Sequence, residues 1–145
     1  MLTNEPGSIL NGVEMIECMI LGDSIARGTS DIRTECVAYA KSGINSSDWN
    51  RRYSHQDLTA KSVIISLGSN DWHSINTMHN LKELRQQVQA DRVFWILPAI
   101  KPDRQAMIRK IAEVYGDTVI EIPKLSKDGV HPTYQGYKKI AEMTK

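Results

Sequence analysis

Gly22-Asp23-Ser24 closes an apolar run near the amino end of the sequence, and Asp128-Gly129-Val130-His131-Pro132 lies near its carboxyl end. Together they offer a nucleophile, a base and a carboxylate to orient the base. A serine hydroxyl attacks little at neutral pH unless an imidazole takes its proton. An acid beside the imidazole fixes its tautomer and stabilises the imidazolium. Asp128 stands three residues before His131, so one loop can carry both. Two further pieces lie between them: Gly43, in Lys41-Ser42-Gly43-Ile44-Asn45, and Asn70, in Leu67-Gly68-Ser69-Asn70-Asp71. The backbone N–H groups of Ser24 and Gly43, with the Asn70 amide, make a candidate oxyanion hole. Donors aimed where charge develops on an attacked ester carbonyl are worth roughly 3–4 kcal/mol each.

Each motif alone has a plainer reading. Gly-Asp-Ser after a strand is also a turn with a helix N-cap, Gly68 to Asp71 is also an Asx turn, and Pro132 is suited to opening a helix. The combination of all three, each just past or soon after an apolar run, points to chemistry.

Ser24, Gly43, Asn70 and His131 in this order, with Gly-Asp-Ser first and Asp-x-x-His last, resemble the SGNH hydrolases, the GDSL-type esterases, across residues 21–132. The resemblance implies an α/β fold, a three-layer α/β/α sandwich whose five-stranded parallel sheet has the flavodoxin-like order 2-1-3-4-5. It also implies a serine esterase with Ser24, Asp128 and His131 as its triad, acting on short-chain acyl esters through an acyl-enzyme. In such a sheet, ligands bind beyond the carboxyl ends of the strands where strand order reverses. Ser24, Gly43 and Asn70 follow predicted strands one, two and three, Asp128 and His131 lie in the loop after strand five, and all would gather there. Departures from other serine chemistries agree: Gly22-Asp23-Ser24-Ile25-Ala26 lacks the last glycine of an α/β-hydrolase elbow, and Arg27 stands where a Ser-x-x-Lys site has its lysine.

Asp23, Trp72 and Val130 are the expected substrate contacts, with His73, Tyr134 and the loop 98–102 bordering the pocket. Short connections leave little material for a lid or a deep acyl tunnel, which favours a small acyl group such as acetyl on an exposed carbohydrate. The same residues would serve an O-acyltransferase, a lipase or a thioesterase. A noncatalytic carbohydrate-binding module of the same fold is the alternative from another class.

At 145 residues and 41% hydrophobic, the sequence suits one globular domain, with residues 1–12 as a loose leader or an extra strand. A formal charge of +1, with acids and bases interspersed, offers no basic stripe for nucleic acid. The first twenty residues hold Glu5, Glu14 and Glu17, no basic residue and no sustained apolar stretch. Neither a signal peptide nor a membrane segment is expected, and a cytoplasmic location follows. Cys18 and Cys36 fall in predicted strands away from metal-ligand spacing and are expected to be buried free thiols. His55, His73 and His79 lack the spacing of a zinc site, so neither metal nor cofactor is expected.

Short apolar runs at 15–21, 63–67 and 93–97 predict strands, with weaker ones at 35–40 and 118–122. Helices are predicted around Leu81, Leu84 and Val88, around Met107 to Tyr115 with Gly116 as C-cap, and around Tyr134 to Ala141 behind Pro132. Residues 45–58 fit neither pattern.

Overall fold

The computed structural model describes residues 9–10 and 13–145. Of the stretch 1–12, residues 1–8 and 11–12 lie outside the described residues. Two short strands, β1 (Ile9–Leu10) and β2 (Val13–Glu14), pair antiparallel apart from the main sheet. That sheet contains β3 (Cys18–Gly22), β4 (Val37–Ala40), β5 (Ser62–Ser66), β6 (Arg92–Ile96) and β7 (Thr118–Ile120), all parallel, in the order β4-β3-β5-β6-β7. Counted in chain order, the five strands stand 2-1-3-4-5, as the resemblance implies. Helices α1 (Ser24–Ile32), α2 (Ser46–Tyr53), α3 (Thr77–Gln87) and α4 (Pro102–Tyr115) fill the crossovers, and α5 (Tyr134–Met143) follows β7.

The strands are apolar on both faces because both are covered. Successive side chains point to opposite sides, so Met19 and Leu21 of β3 join one core cluster while Ile20 joins the other. Val63 and Ile65 of β5 likewise oppose Ile64. The first cluster takes Trp49 from α2, Leu81 and Leu84 from α3, and Ile108 and Ile111 from α4. The second takes Ile25 and Ala26 from α1 and Ile140 from α5. These are the three layers.

Residues 45–58 resolve into α2 and a following turn. Asn45 caps the helix by accepting from the Asp48 N–H at 2.8 Å. Asp48 in the first turn and Arg51 and Arg52 in the last complement the helix dipole. The buried face of α1 is short, with only Ile25, Ala26 and Thr29. Tertiary packing supplies what propensity does not: the Tyr137 ring of α5 lies against Gly28.

The expectation of free thiols is corrected. Cys18 and Cys36 form a disulfide, with Cα atoms 4.7 Å apart. The cause is register: Met19 pairs with Val37, so the preceding residues of β3 and the β4 entry face one another. Neighbouring strands are separated by about 4.8 Å, within the span a disulfide bridges. Two cysteines 18 residues apart show no such juxtaposition until the strands are aligned.

At the far edge of the sheet, Arg85 of α3 donates to both carboxylate oxygens of Asp117, at 2.7 and 2.9 Å, and Trp95 Nε1 donates to the same group at 3.0 Å. Among the described residues no helix is long and apolar enough to cross a membrane.

Candidate active site

Gly22 ends β3 with φ +142°, and a Cβ there would overlap the Ser66 carbonyl of β5. That close approach lets the Asp23 N–H donate to Ser66 O at 2.9 Å. Asp23 then caps α1: its Oδ1 accepts from the Ile25 N–H and from Ser66 Oγ, each at 3.0 Å. Ser24 is therefore the first residue of a helix held against the carboxyl end of β3.

Ser24 Oγ lies 2.9 Å from His131 Nε2, and His131 Nδ1 lies 2.7 Å from Asp128 Oδ2. The other Asp128 oxygen accepts from the Val130 N–H at 2.8 Å, the His131 N–H at 2.9 Å and Ser126 Oγ at 2.8 Å. The His131 and Val130 N–H groups, then the imidazole and Ser126, hold the Asp128 carboxyl well below the usual carboxylate range. An ionised Asp128 only accepts, so Nδ1 carries the imidazole proton and leaves the Nε2 lone pair facing the Ser24 hydroxyl. The loop is closed by a bridge between Leu125 and Pro132, and the Ser126 N–H donates to His131 O at 2.8 Å.

Gly43 sits in the turn after β4 with φ +80°, a conformation that L side chains rarely adopt. Among the described residues its N–H, like that of Ser24, meets no acceptor. Asn70 follows β5, and its Nδ2 donates to Ile44 O at 3.1 Å. One amide hydrogen is thereby tied to the Gly43–Ile44 turn and the other remains to donate elsewhere.

The substrate-contact candidates are placed unevenly. Trp72 is 56% exposed beside Asn70 and Asp71. Val130 is half-buried and its N–H is engaged by Asp128. Asp23 is fully buried, which suits holding Ser24 rather than touching a substrate. Burial pushes its carboxyl up to about 6, against the hydrogen bonds from Ser66 and Ile25, and Oδ2 has no partner among the described residues.

Sequence reasoning missed Asp71. It is buried and accepts from the Ser46 N–H at 2.8 Å, Ser46 Oγ at 2.6 Å and Thr77 Oγ1 at 2.7 Å. Arg104 donates to its backbone carbonyl. One side chain thus joins the starts of α2 and α3 to the loop that carries Asn70. The available signal was Ser46 and Thr77 at helix starts, but only the fold brings them to Asp71.

Neither the family models nor the curated proteins give a match to this sequence. Solved structures do. A proposed acylhydrolase of Bacteroides fragilis superposes with a TM-score of 0.66 at 16% identity, over 88% of this chain and 83% of that one. The C-terminal catalytic domain of a Streptococcus pneumoniae peptidoglycan O-acetyltransferase, carrying a methylsulfonyl adduct, gives 0.57 at 15% identity, over 88% and 89%. A family 3 carbohydrate esterase of Clostridium thermocellum gives 0.52 at 14% identity, over 90% and 93%. This chain has the fold those proteins share.

Proposed function

We propose that this protein is a serine esterase that cleaves short acyl esters through a covalent acyl-enzyme on Ser24. The observation that carries the reading is the unbroken hydrogen-bonded line from Asp128 through the His131 ring to Ser24 Oγ. His131 Nε2 takes the Ser24 proton as Oγ attacks the acyl carbon, and Asp128 steadies the imidazolium. The N–H groups of Ser24 and Gly43 and the Asn70 amide receive the oxyanion. Collapse passes the proton to the departing alcohol, and His131 then activates water to release the acid.

Acetyl on carbohydrate is the preferred substrate, a reading supported by the likeness to a carbohydrate esterase and to a peptidoglycan O-acetyltransferase domain. The latter also favours acyl transfer as a second reading, in which a sugar hydroxyl replaces water on the same residues. The Cys18–Cys36 disulfide supports an oxidising compartment over the cytoplasm, because such bonds persist where thiols are not kept reduced.

Turnover of a small chromogenic acetate tests the reading. Ser24→Ala should fold normally and lose activity by roughly a thousandfold or more. Retained turnover would remove Ser24 from the mechanism.

A further inference from the structure

The turn after β4 and the helix α2 line a cleft of about 440 Å³ whose walls include Lys41, Gly43, Asp48, Arg51 and Arg52. Gly43 belongs both to this cleft and to the candidate oxyanion hole. The sheet sets the two close together: Ala40 of β4 is in register with Gly22 of β3, and the Lys41 N–H donates to Gly22 O at 2.9 Å. Neighbouring strands lie about 4.8 Å apart, so the turn bearing Lys41 and Gly43 starts one strand spacing from the turn bearing Ser24.

Three basic residues and one acidic residue line this cleft, and the Arg51–Asp48 ion pair leaves Lys41 and Arg52 as its unbalanced cations. The Asp48 carboxylate accepts from Arg51 Nη1 at 2.7 Å and from Asn45 Nδ2 at 3.1 Å. Lys41 has no ion-pair partner among the described residues. Arg52 donates to the Tyr53 hydroxyl at 3.1 Å and stands 5.5 Å over its ring, which orients the guanidinium without neutralising it. The nearby start of α2 offers little to an anion, because the Ser46 and Asp48 N–H groups are engaged by Asp71 and Asn45. The cations themselves are what a ligand would meet. In a chain of formal charge +1, this clustering is local and gives the cleft a positive field.

We propose that the cleft binds an anionic group of the substrate, a carboxylate or a phosphate, while the ester is held at Ser24, so that the enzyme selects anionic esters. The proposal rests on the esterase reading. A guanidinium and an ammonium both suit such oxygens, and their pull on a charge at an open cleft is screened by salt.

The test compares 4-acetoxybenzoate, 4-acetoxyphenyl phosphate and neutral 4-acetoxybenzamide, which differ in the group opposite the ester. At low salt, kcat/KM for at least one anionic ester should exceed that for the amide about tenfold, and the excess should shrink as sodium chloride is added. The stronger of the two anions identifies the group. Combining Lys41→Gln with Arg52→Gln should bring the anionic-to-neutral ratio close to one. Equal kcat/KM for all three esters, or a salt-independent ratio that the double variant leaves in place, overturns the cleft. If no ester is turned over, the esterase reading fails. The cleft is then judged by calorimetric titration with 4-hydroxybenzoate, 4-hydroxyphenyl phosphate and 4-hydroxybenzamide: tighter binding of either anion sustains it, and equal binding overturns it.

Discussion

Asp23 and Asp71 each stand next to a residue assigned to the chemistry, and each is buried and accepts hydrogen bonds from elements distant in sequence, Asp23 from Ser66 of β5 and Asp71 from Ser46 of α2. Asp23 gives a pH prediction. Its carboxyl is raised from 3.8 to about 6 by burial, so the folded state holds this proton more tightly than the unfolded chain does. The resulting stabilisation is complete below the unfolded value and is lost as pH rises through about 6, a change of order 3 kcal/mol. Asp23→Asn keeps an acceptor for the Ile25 N–H and the Ser66 hydroxyl but does not titrate. Its stability relative to the parent should therefore rise between pH 4 and pH 7 in urea unfolding. A constant difference across that interval would contradict the burial argument.

Asn70→Ala should lower kcat by about 10²-fold or more with a smaller change in KM, as for a donor used mainly in the transition state. A change confined to KM would make Asn70 a ground-state binding group. The pH profile of kcat/KM should keep its shape in Asp23→Asn, since Asp23 touches neither Ser24 Oγ nor His131. A profile that changes near pH 6 in the variant would bring Asp23 into the chemistry.

At the scale of elements, two side-chain links hold the sheet at opposite edges. The Cys18–Cys36 disulfide ties β3, the strand that leads into Ser24, to β4 and encloses α1. Reduction, or a double Cys→Ser change, should destabilise the fold by roughly 3 kcal/mol, measured by denaturant unfolding with and without reductant. At the other edge, Asp117→Ala strands the Arg85 guanidinium and the Trp95 N–H, and should cost about 3–5 kcal/mol. An effect below 1 kcal/mol would mean that solvent replaces the pair readily.

What was legible in the sequence follows from which interactions are local. The strands at 63–67 and 93–97 match β5 and β6 to within a residue because β-branched and aromatic runs buried on both faces leave a continuous signal. The run at 15–21 begins too early, since Met15, Ile16 and Glu17 precede the point where β3 enters the covered sheet. Helix α1 is announced in the sequence by its Asp23 cap, while its length is set by packing, because its apolar face is short and is completed by α5. The disulfide and the Asp71 network depend on register and on helix starts far apart in sequence. Ser24 stands out at the junction of β3 and α1, and Asp128 and His131 because one short loop carries both.

For the whole molecule, the acyl preference follows from how much of a substrate the described surface can cover. If no lid covers the ester, kcat/KM should fall or stay flat from acetate to octanoate. A deep apolar tunnel would instead add up to about 0.8 kcal/mol for each buried methylene. A steep rise with chain length would exchange carbohydrate acetates for lipids or thioesters and leave the roles of Ser24, Asp128 and His131 intact.

A serine-reactive fluorophosphonate shows whether Ser24, His131 and Asp128 act together as a working nucleophile. Peptide mass spectrometry should find one stoichiometric adduct, located on Ser24, and the adduct should fail to form in His131→Ala although that protein folds. A folded parent protein that stays unlabelled, or a label on another residue, would contradict the account and favour a noncatalytic carbohydrate-binding module built on the same fold.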